Sequence, residues 1–275
     1  MKNEMKIARL ACMEAGKEIT KFYKSKYSIT DKSYHNPVTD ADHAANAAIR
    51  DIILREFPTD GWLSEETVDS EDRLEKSRVW IIDPLDGTKE FIEGVPNFTI
   101  SIGLVVDCTP VLGVLYNPVT EEMFSAIAGD GAFYNGKRIT CSPLHDIQSS
   151  TIVISRSETR KGLWDGTKPW FKNQAHIGSV AYKLGLTASG KYDSFATLRP
   201  KNEWDVCAGE IILREAGGVL MNLADRTSRR YNQKNTLITP GMIGGNPVLV
   251  EQFFTRWNNH LQETATTDTR NESLS

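Results

Sequence analysis

Apolar residues recur at helical spacing from the start of the chain. Between Glu4 and Lys24, Ala8, Ala11, Cys12, Ala15, Ile19 and Phe22 share one face, which predicts an amphipathic helix. The polar stretch from Ser28 to Asn36, closed by Pro37, predicts a loop. A second helical pattern runs from about Asp40 to Glu56 with Ala45, Ile49, Ile52 and Ile53 inward, and Phe57-Pro58-Thr59-Asp60-Gly61 stops it. The period then changes. Val79 to Ile82 are β-branched or aromatic without a break and predict a buried strand. Pro84 has no N–H to offer a ladder, which predicts a turn there. Gly87 and Thr88 open a short helix, Thr88 to Ile92. Asn97 to Val106, Val111 to Tyr116, Met123 to Ile127 and Ala132 to Tyr134 alternate or run apolar and predict an antiparallel sheet.

The second half alternates strand and helix. Ile152 to Ile154 and Val219 to Leu223 predict strands; Ser179 to Ala188, Val206 to Ala216 and Pro247 to Leu261 predict helices. No Pro-, Gly- or Ser-rich linker and no repeat divides the chain. One domain over residues 1–262 is expected, with subregions of about 1–145 and 146–262. The polar residues 263–275 are expected to form a disordered tail. Helices alternating with sheets predict a layered α/β sandwich.

Composition narrows the function classes. The 275 residues carry 32 basic and 36 acidic side chains, a net charge of −4 with no dense basic stripe, which argues against nucleic acid. No apolar run reaches membrane-spanning length, and the first residues lack the apolar core of a signal peptide, so a cytoplasmic protein is expected. Cys12, Cys108, Cys141 and Cys207 are widely spaced and read as reduced thiols. With the histidines equally scattered, any metal should be a hard cation held by oxygen.

Asp83 and Asp86 supply that oxygen. They lie three residues apart where a buried strand meets a helix start, beside backbone N–H groups without intrahelical partners. Paired carboxylates and free donors suit divalent cations together with a phosphate. A lone D-x-x-D would be an ordinary acidic turn. The longer string Trp80-Ile81-Ile82-Asp83-Pro84-Leu85-Asp86-Gly87-Thr88 resembles the metal-binding motif of the lithium-sensitive inositol monophosphatase superfamily. Trp204-Asp205-Val206-Cys207-Ala208-Gly209-Glu210, running on to Ala216-Gly217-Gly218, resembles its second signature.

The resemblance implies an αβαβα sandwich, its sheets flanked by helix pairs, and a Mg²⁺-dependent phosphomonoesterase with two or three ions per subunit. Leu63-Ser64-Glu65-Glu66 resembles the family's third metal-binding element, making Glu65 rather than Glu66 the ligand. Alone, Glu65 would read as a solvated acid in a loop. Asp205 alone would read as the N-cap of the helix that follows. By resemblance one cation is held by Glu65, Asp83 and the Leu85 carbonyl and activates the attacking water. A second, held by Asp83, Asp86 and Asp205, stabilises the departing alkoxide. Pro37-Val38-Thr39-Asp40-Ala41-Asp42 resembles the family's V-T-x-x-D, which selects Asp42 over Asp40 as the group that orients the Thr88 hydroxyl, and Thr88 in turn orients the water. Read alone, both aspartates are first-turn helix acids. Lys32 matches a basic residue near the most weakly bound metal, and alone is a surface lysine. The N–H groups of Gly87 and Thr88 are expected to hold the phosphoryl oxygens, with Asp86, Gly178 and Ser179 also touching substrate.

Two local patterns divide the choice of substrate. Lys89-Glu90-Phe91 and Pro200-Lys201-Asn202-Glu203 resemble the 3'(2'),5'-bisphosphate nucleotidase branch, which converts adenosine 3',5'-bisphosphate to AMP and phosphate. Gly178-Ser179-Val180-Ala181-Tyr182-Lys183 is closer in spacing to the inositol-1-monophosphatase branch, and Ser179 alone would be a helix cap. The nucleotidase is favoured slightly. Overlap within the superfamily allows fructose 1,6-bisphosphate or NADP as further substrates, and a homodimer is implied. Gly131 to Arg138 mimics a P-loop, but Arg138 stands where a hydroxyl is needed and Asn135-Gly136 signals a hairpin.

Overall fold

The computed structural model describes residues 1–33, 36–238 and 241–272, with the side chains of 31–37 and 263–272 left undescribed. The chain opens with helix α1 (Lys2–Phe22), strands β1 (Ile29–Ser33) and β2 (Asn36–Thr39), and helix α2 (Asp40–Glu56). The stretch expected as a loop before Pro37 is thus an antiparallel hairpin, in which Ile29 and Thr30 pair with Thr39 and Val38. The β-branched residues sit only at its two ends, too few to show an alternating pattern.

A seven-stranded sheet follows, in the order β3 (Gly61–Ser64), β4 (Arg78–Asp86), β5 (Thr99–Val106), β6 (Thr109–Asn117), β7 (Glu122–Ile127), β8 (Gly131–Tyr134) and β9 (Lys137–Ile139). Helix α3 (Thr88–Ile92) lies between β4 and β5 in the chain. Trp80 and Ile82 pack with α1 and α2, whereas Val79 and Ile81 pack with Cys207 on the opposite face. Burial on both faces explains why Val79 to Ile82 runs apolar without alternation. The presumed P-loop mimic is the β8–β9 turn, with Asn135 and Gly136 at φ of 46° and 78°.

Next come β10 (Thr151–Ser155), α4 (Arg156–Arg160), β11 (Asn173–Ile177), α5 (Val180–Ala188), β12 (Ser194–Thr197), β13 (Lys201–Asn202), α6 (Glu203–Glu215), β14 (Val219–Asn222), β15 (Leu237–Ile238), β16 (Met242–Gly245) and α7 (Pro247–Glu272). A five-stranded sheet runs β11-β10-β12-β16-β14, and β13 pairs with β15. Helices α5 and α6 fill the space between the two large sheets around Leu184, Ile211 and Ile212. Helix α7 covers the outer face of the five-stranded sheet with Leu249, Val250, Phe253 and Phe254. The layers therefore read αβαβα. Among the described residues, no helix is long and apolar enough to cross a membrane. The backbone of α7 stays helical to Glu272, past the polar boundary at Gln262. No Gly or Pro interrupts that stretch.

Two differences from the sequence reading matter for chemistry. Strand β4 does not stop at Pro84; it continues to Asp86 through an irregularity, with Asp83 opposite Ser101 and Asp86 opposite Thr99. Three steps on β4 match two on β5, which is one extra residue, a bulge. Proline is tolerated there because no ladder hydrogen bond is asked of it. Helix α6 begins at Glu203 rather than Val206, so Asp205 is not the N-cap. Asn202 holds that position, and Asp205, three residues on, accepts the Asn202 N–H at 2.8 Å in a capping box.

Candidate active site

Parallel pairing of β3 with β4 aligns Ser64 with Ile82, and the Glu65 N–H extends the ladder to the Ile82 carbonyl at 3.2 Å. Glu65 therefore follows its strand beside Asp83. In an unbroken strand, residues three apart point to opposite faces. The bulge between Asp83 and Asp86 cancels that flip, and both carboxylates line one cleft with Glu65 and Asp205. Asp205 reaches it because α6 packs hard on the sheet. A Cβ on Gly103 would lie 2.7 Å from the Cys207 sulfur, and one on Gly113 would lie 2.5 Å from the Ala208 carbonyl oxygen.

Ligand atoms of Glu65, Asp83 and Asp205 lie within 4.8 Å of one another. Burial first, then the charges of Glu65, Asp86 and Asp205, push the Asp83 carboxyl well above the usual range. The Asp205 carboxyl is pushed up to about 8, again by burial first and then by Asp86 and Glu65. Like charges gathered out of water stay ionised together only when a cation neutralises them. The donor set is all oxygen and fits a hard divalent cation, with Leu85 lining the same cleft.

Asp86 is buried and faces the same cleft but stands outside that triad. Its Oδ2 accepts the Ser179 hydroxyl and the Ala181 N–H, both at 2.6 Å. Burial raises its carboxyl, opposed by those two donors and by Lys183 and Lys201. Ser179 is the N-cap of α5, accepting the Tyr182 N–H at 3.0 Å, and takes a positive φ of 57°. A non-glycine residue at that φ stores strain, here at the point where α5 meets Asp86.

Thr88 begins α3 after Gly87, whose φ of +106° lies where side chains are strained and whose absent Cβ leaves 3.0 Å to the Asn97 carbonyl. The Thr88 hydroxyl lies 3.1 Å from Asp42 Oδ1 and 3.2 Å from the Leu85 carbonyl. Asp42 satisfies both of its readings at once. Its Oδ2 accepts the Thr39 N–H at 2.8 Å and the Thr39 hydroxyl at 2.6 Å, capping α2, while Oδ1 faces Thr88. Burial pushes the Asp42 carboxyl up to about 6 against the pull of the Thr39 donors. Asp40 instead accepts the Ser28 N–H at 2.9 Å. The Lys32 side chain lies outside the described residues.

The cleft also holds groups that the sequence reading did not single out as site residues. Lys183 on α5 is fully buried, donates to the Ile177 carbonyl at 3.2 Å, and is lowered to about 8 by burial and by Lys201. Lys201, Lys89, Glu90 and Ser157 line the same cleft. A lysine inside a predicted apolar helix was the available signal for Lys183.

The sequence profile of the inositol monophosphatase family matches residues 1–267. Inositol monophosphatase 2 of Solanum lycopersicum is 34% identical over 88% of this chain and 97% of its own length. The Thermotoga maritima IMPase structure superposes with a TM-score of 0.82 at 27% identity, covering 92% of this chain and 96% of its own. CysQ of Bacteroides thetaiotaomicron, a bacterial member of the inositol monophosphatase family, superposes with a TM-score of 0.72 at 32% identity, covering 88% and 96%. The chain belongs to the inositol monophosphatase family of metal-dependent phosphomonoester hydrolases.

Proposed function

We propose that the chain hydrolyses a small phosphorylated metabolite with Mg²⁺ and a directly attacking water. The observation that carries this is the Glu65–Asp83–Asp205 triad set beside the Asp42–Thr88 hydrogen bond. Glu65, Asp83 and the Leu85 carbonyl would hold one cation, and Asp83, Asp86 and Asp205 another. Bound there, such cations lower the pKa of water and neutralise charge on the leaving oxygen. The chain's own part is positioning. Asp42 directs the Thr88 hydroxyl, Thr88 orients the water toward phosphorus, and the N–H groups of Gly87 and Thr88 hold phosphoryl oxygens. The water oxygen bonds to phosphorus as the ester P–O bond breaks, and no covalent phosphoenzyme is needed. Phosphate release is expected to vanish in excess EDTA and return with Mg²⁺. Full turnover in EDTA would contradict the reading.

The substrate reading is a 3'(2'),5'-bisphosphate nucleotidase. It is supported by Lys183 and Lys201 in the cleft. An ammonium offers three donors, and the buried Lys183 uses one, on the Ile177 carbonyl. A second phosphate offers charged oxygens to Lys183 and Lys201, where an inositol monophosphate offers neutral hydroxyls. The 34% identical inositol monophosphatase 2 favours inositol 1-phosphate as the second reading. Comparing kcat/KM for adenosine 3',5'-bisphosphate and inositol 1-phosphate decides between them. Lys183→Met should erase a preference for the bisphosphate, and an unchanged preference would sink the lysine argument. Inhibition by lithium is also expected in either case.

A further inference from the structure

Glu90 lies two residues beyond Thr88 and lines the cleft with its side chain 12% exposed. Its Oε1 accepts Arg156 Nη1 at 3.1 Å, and Arg156 Nη2 donates to Glu93 Oε2 at 2.7 Å. The pair joins α3, between β4 and β5 of the seven-stranded sheet, to α4, between β10 and β11 of the five-stranded one. The carboxylate also rests on Gly178. A Cβ built on that glycine would lie 1.9 Å from the Glu90 carboxyl carbon and 2.1 and 2.3 Å from its oxygens. The φ of Gly178 is not in the left-handed region, so glycine is needed there for room rather than for backbone conformation.

A carboxylate accepts through about four lone-pair positions. Among the described residues, Arg156 is the side chain that hydrogen-bonds to Glu90, and the Glu90 backbone N–H also donates to the carboxylate, which leaves acceptor capacity facing the cleft. A fixed anionic acceptor on the wall of a phosphate site repels phosphoryl oxygens and attracts O–H donors. We propose that Glu90 is a specificity-determining residue. It accepts a hydrogen bond from a hydroxyl on the alcohol part of the substrate, with Arg156 and Gly178 holding the carboxylate in place. This rests on the phosphatase reading and names the residue that would choose among phosphate esters by the hydroxyl next to the ester.

The test compares inositol 1-phosphate, adenosine 3',5'-bisphosphate and phenyl phosphate, whose alcohol carries no further hydroxyl. For Glu90→Gln, KM for the hydroxyl-bearing ester that wild type turns over best should rise roughly tenfold to a hundredfold, the size expected for a hydrogen bond to a charged group. Phenyl phosphate should lose far less, and kcat should move less than KM. Gly178→Ala should reproduce the pattern by displacing the carboxylate, and in a Glu90→Ala background it should add little. Equal losses on all esters, no loss on any, or wild-type activity confined to phenyl phosphate would overturn the assignment. Wild type inactive on all three, and on fructose 1,6-bisphosphate and NADP, with Mg²⁺ present would instead contradict the phosphatase reading.

Discussion

Asp205→Asn is expected to lower kcat at saturating Mg²⁺ by roughly 10²- to 10³-fold, or about 3–4 kcal/mol of transition-state stabilisation. The amide keeps the shape of the side chain but removes one of three anions whose ligand atoms lie within 4.8 Å. It also keeps an acceptor for the Asn202 N–H, so the capping box of α6 persists. In EDTA the variant should melt no lower than wild type, because the change relieves repulsion among buried carboxylates. Mg²⁺ should raise the melting temperature of wild type far more than that of the variant, since only a cation bound to the folded state stabilises it. Asp86→Asn should lower kcat comparably. Near wild-type turnover in either would show that the residue is not a ligand.

Thr88→Val and Asp42→Asn are expected to fail as one unit. Valine keeps the branched shape of Thr88 but cannot bond to Asp42 or to water, so KM should change little while kcat falls by roughly 10²- to 10⁴-fold, the range for a positioned proton-handling group. Asp42→Asn weakens the hydrogen bond at 3.1 Å that directs the hydroxyl. The asparagine side-chain oxygen can still accept the Thr39 N–H, so the capping box that starts α2 should survive. Groups that act together lose function non-additively, and the double variant should be little worse than the poorer single one. Losses that multiply would separate the two residues. Asp42 would then be a cap for α2 and nothing more.

The strongest sequence signals were local. Thr39-Asp40-Ala41-Asp42 marks the start of α2, and Asp83 to Thr88 marks the strand-to-helix corner, because caps, glycine and apolar periods act over a few residues. The bulge at Pro84 and Leu85 left no such mark. Proline signals a break in the ladder, but only pairing with β5 decides whether the chain turns away or continues to Asp86. Strand β3 carries no strand signal of its own because Gly61-Trp62-Leu63-Ser64 is short and shows no clean alternation; its partner β4 makes it a strand. Helix α6 starts three residues before the position the sequence predicts, because Asp205 is as good a cap by type as Asn202. The Glu90–Arg156 contact spans 66 residues and joins two layers, so no spacing rule could find it.

The proposed hydrolysis requires a cation seated among Glu65, Asp83 and Asp205, whose ligand atoms lie close enough to hold one. The most direct measurement is anomalous scattering from crystals soaked in Mn²⁺ as a substitute for Mg²⁺, recorded above and below the manganese edge. A peak bounded by oxygens of those three residues, lost in Asp83→Asn, is expected. If Mn²⁺ supports phosphate release in solution and the soaked crystals show no peak there, or show it elsewhere, the carboxylate cluster is not the metal centre.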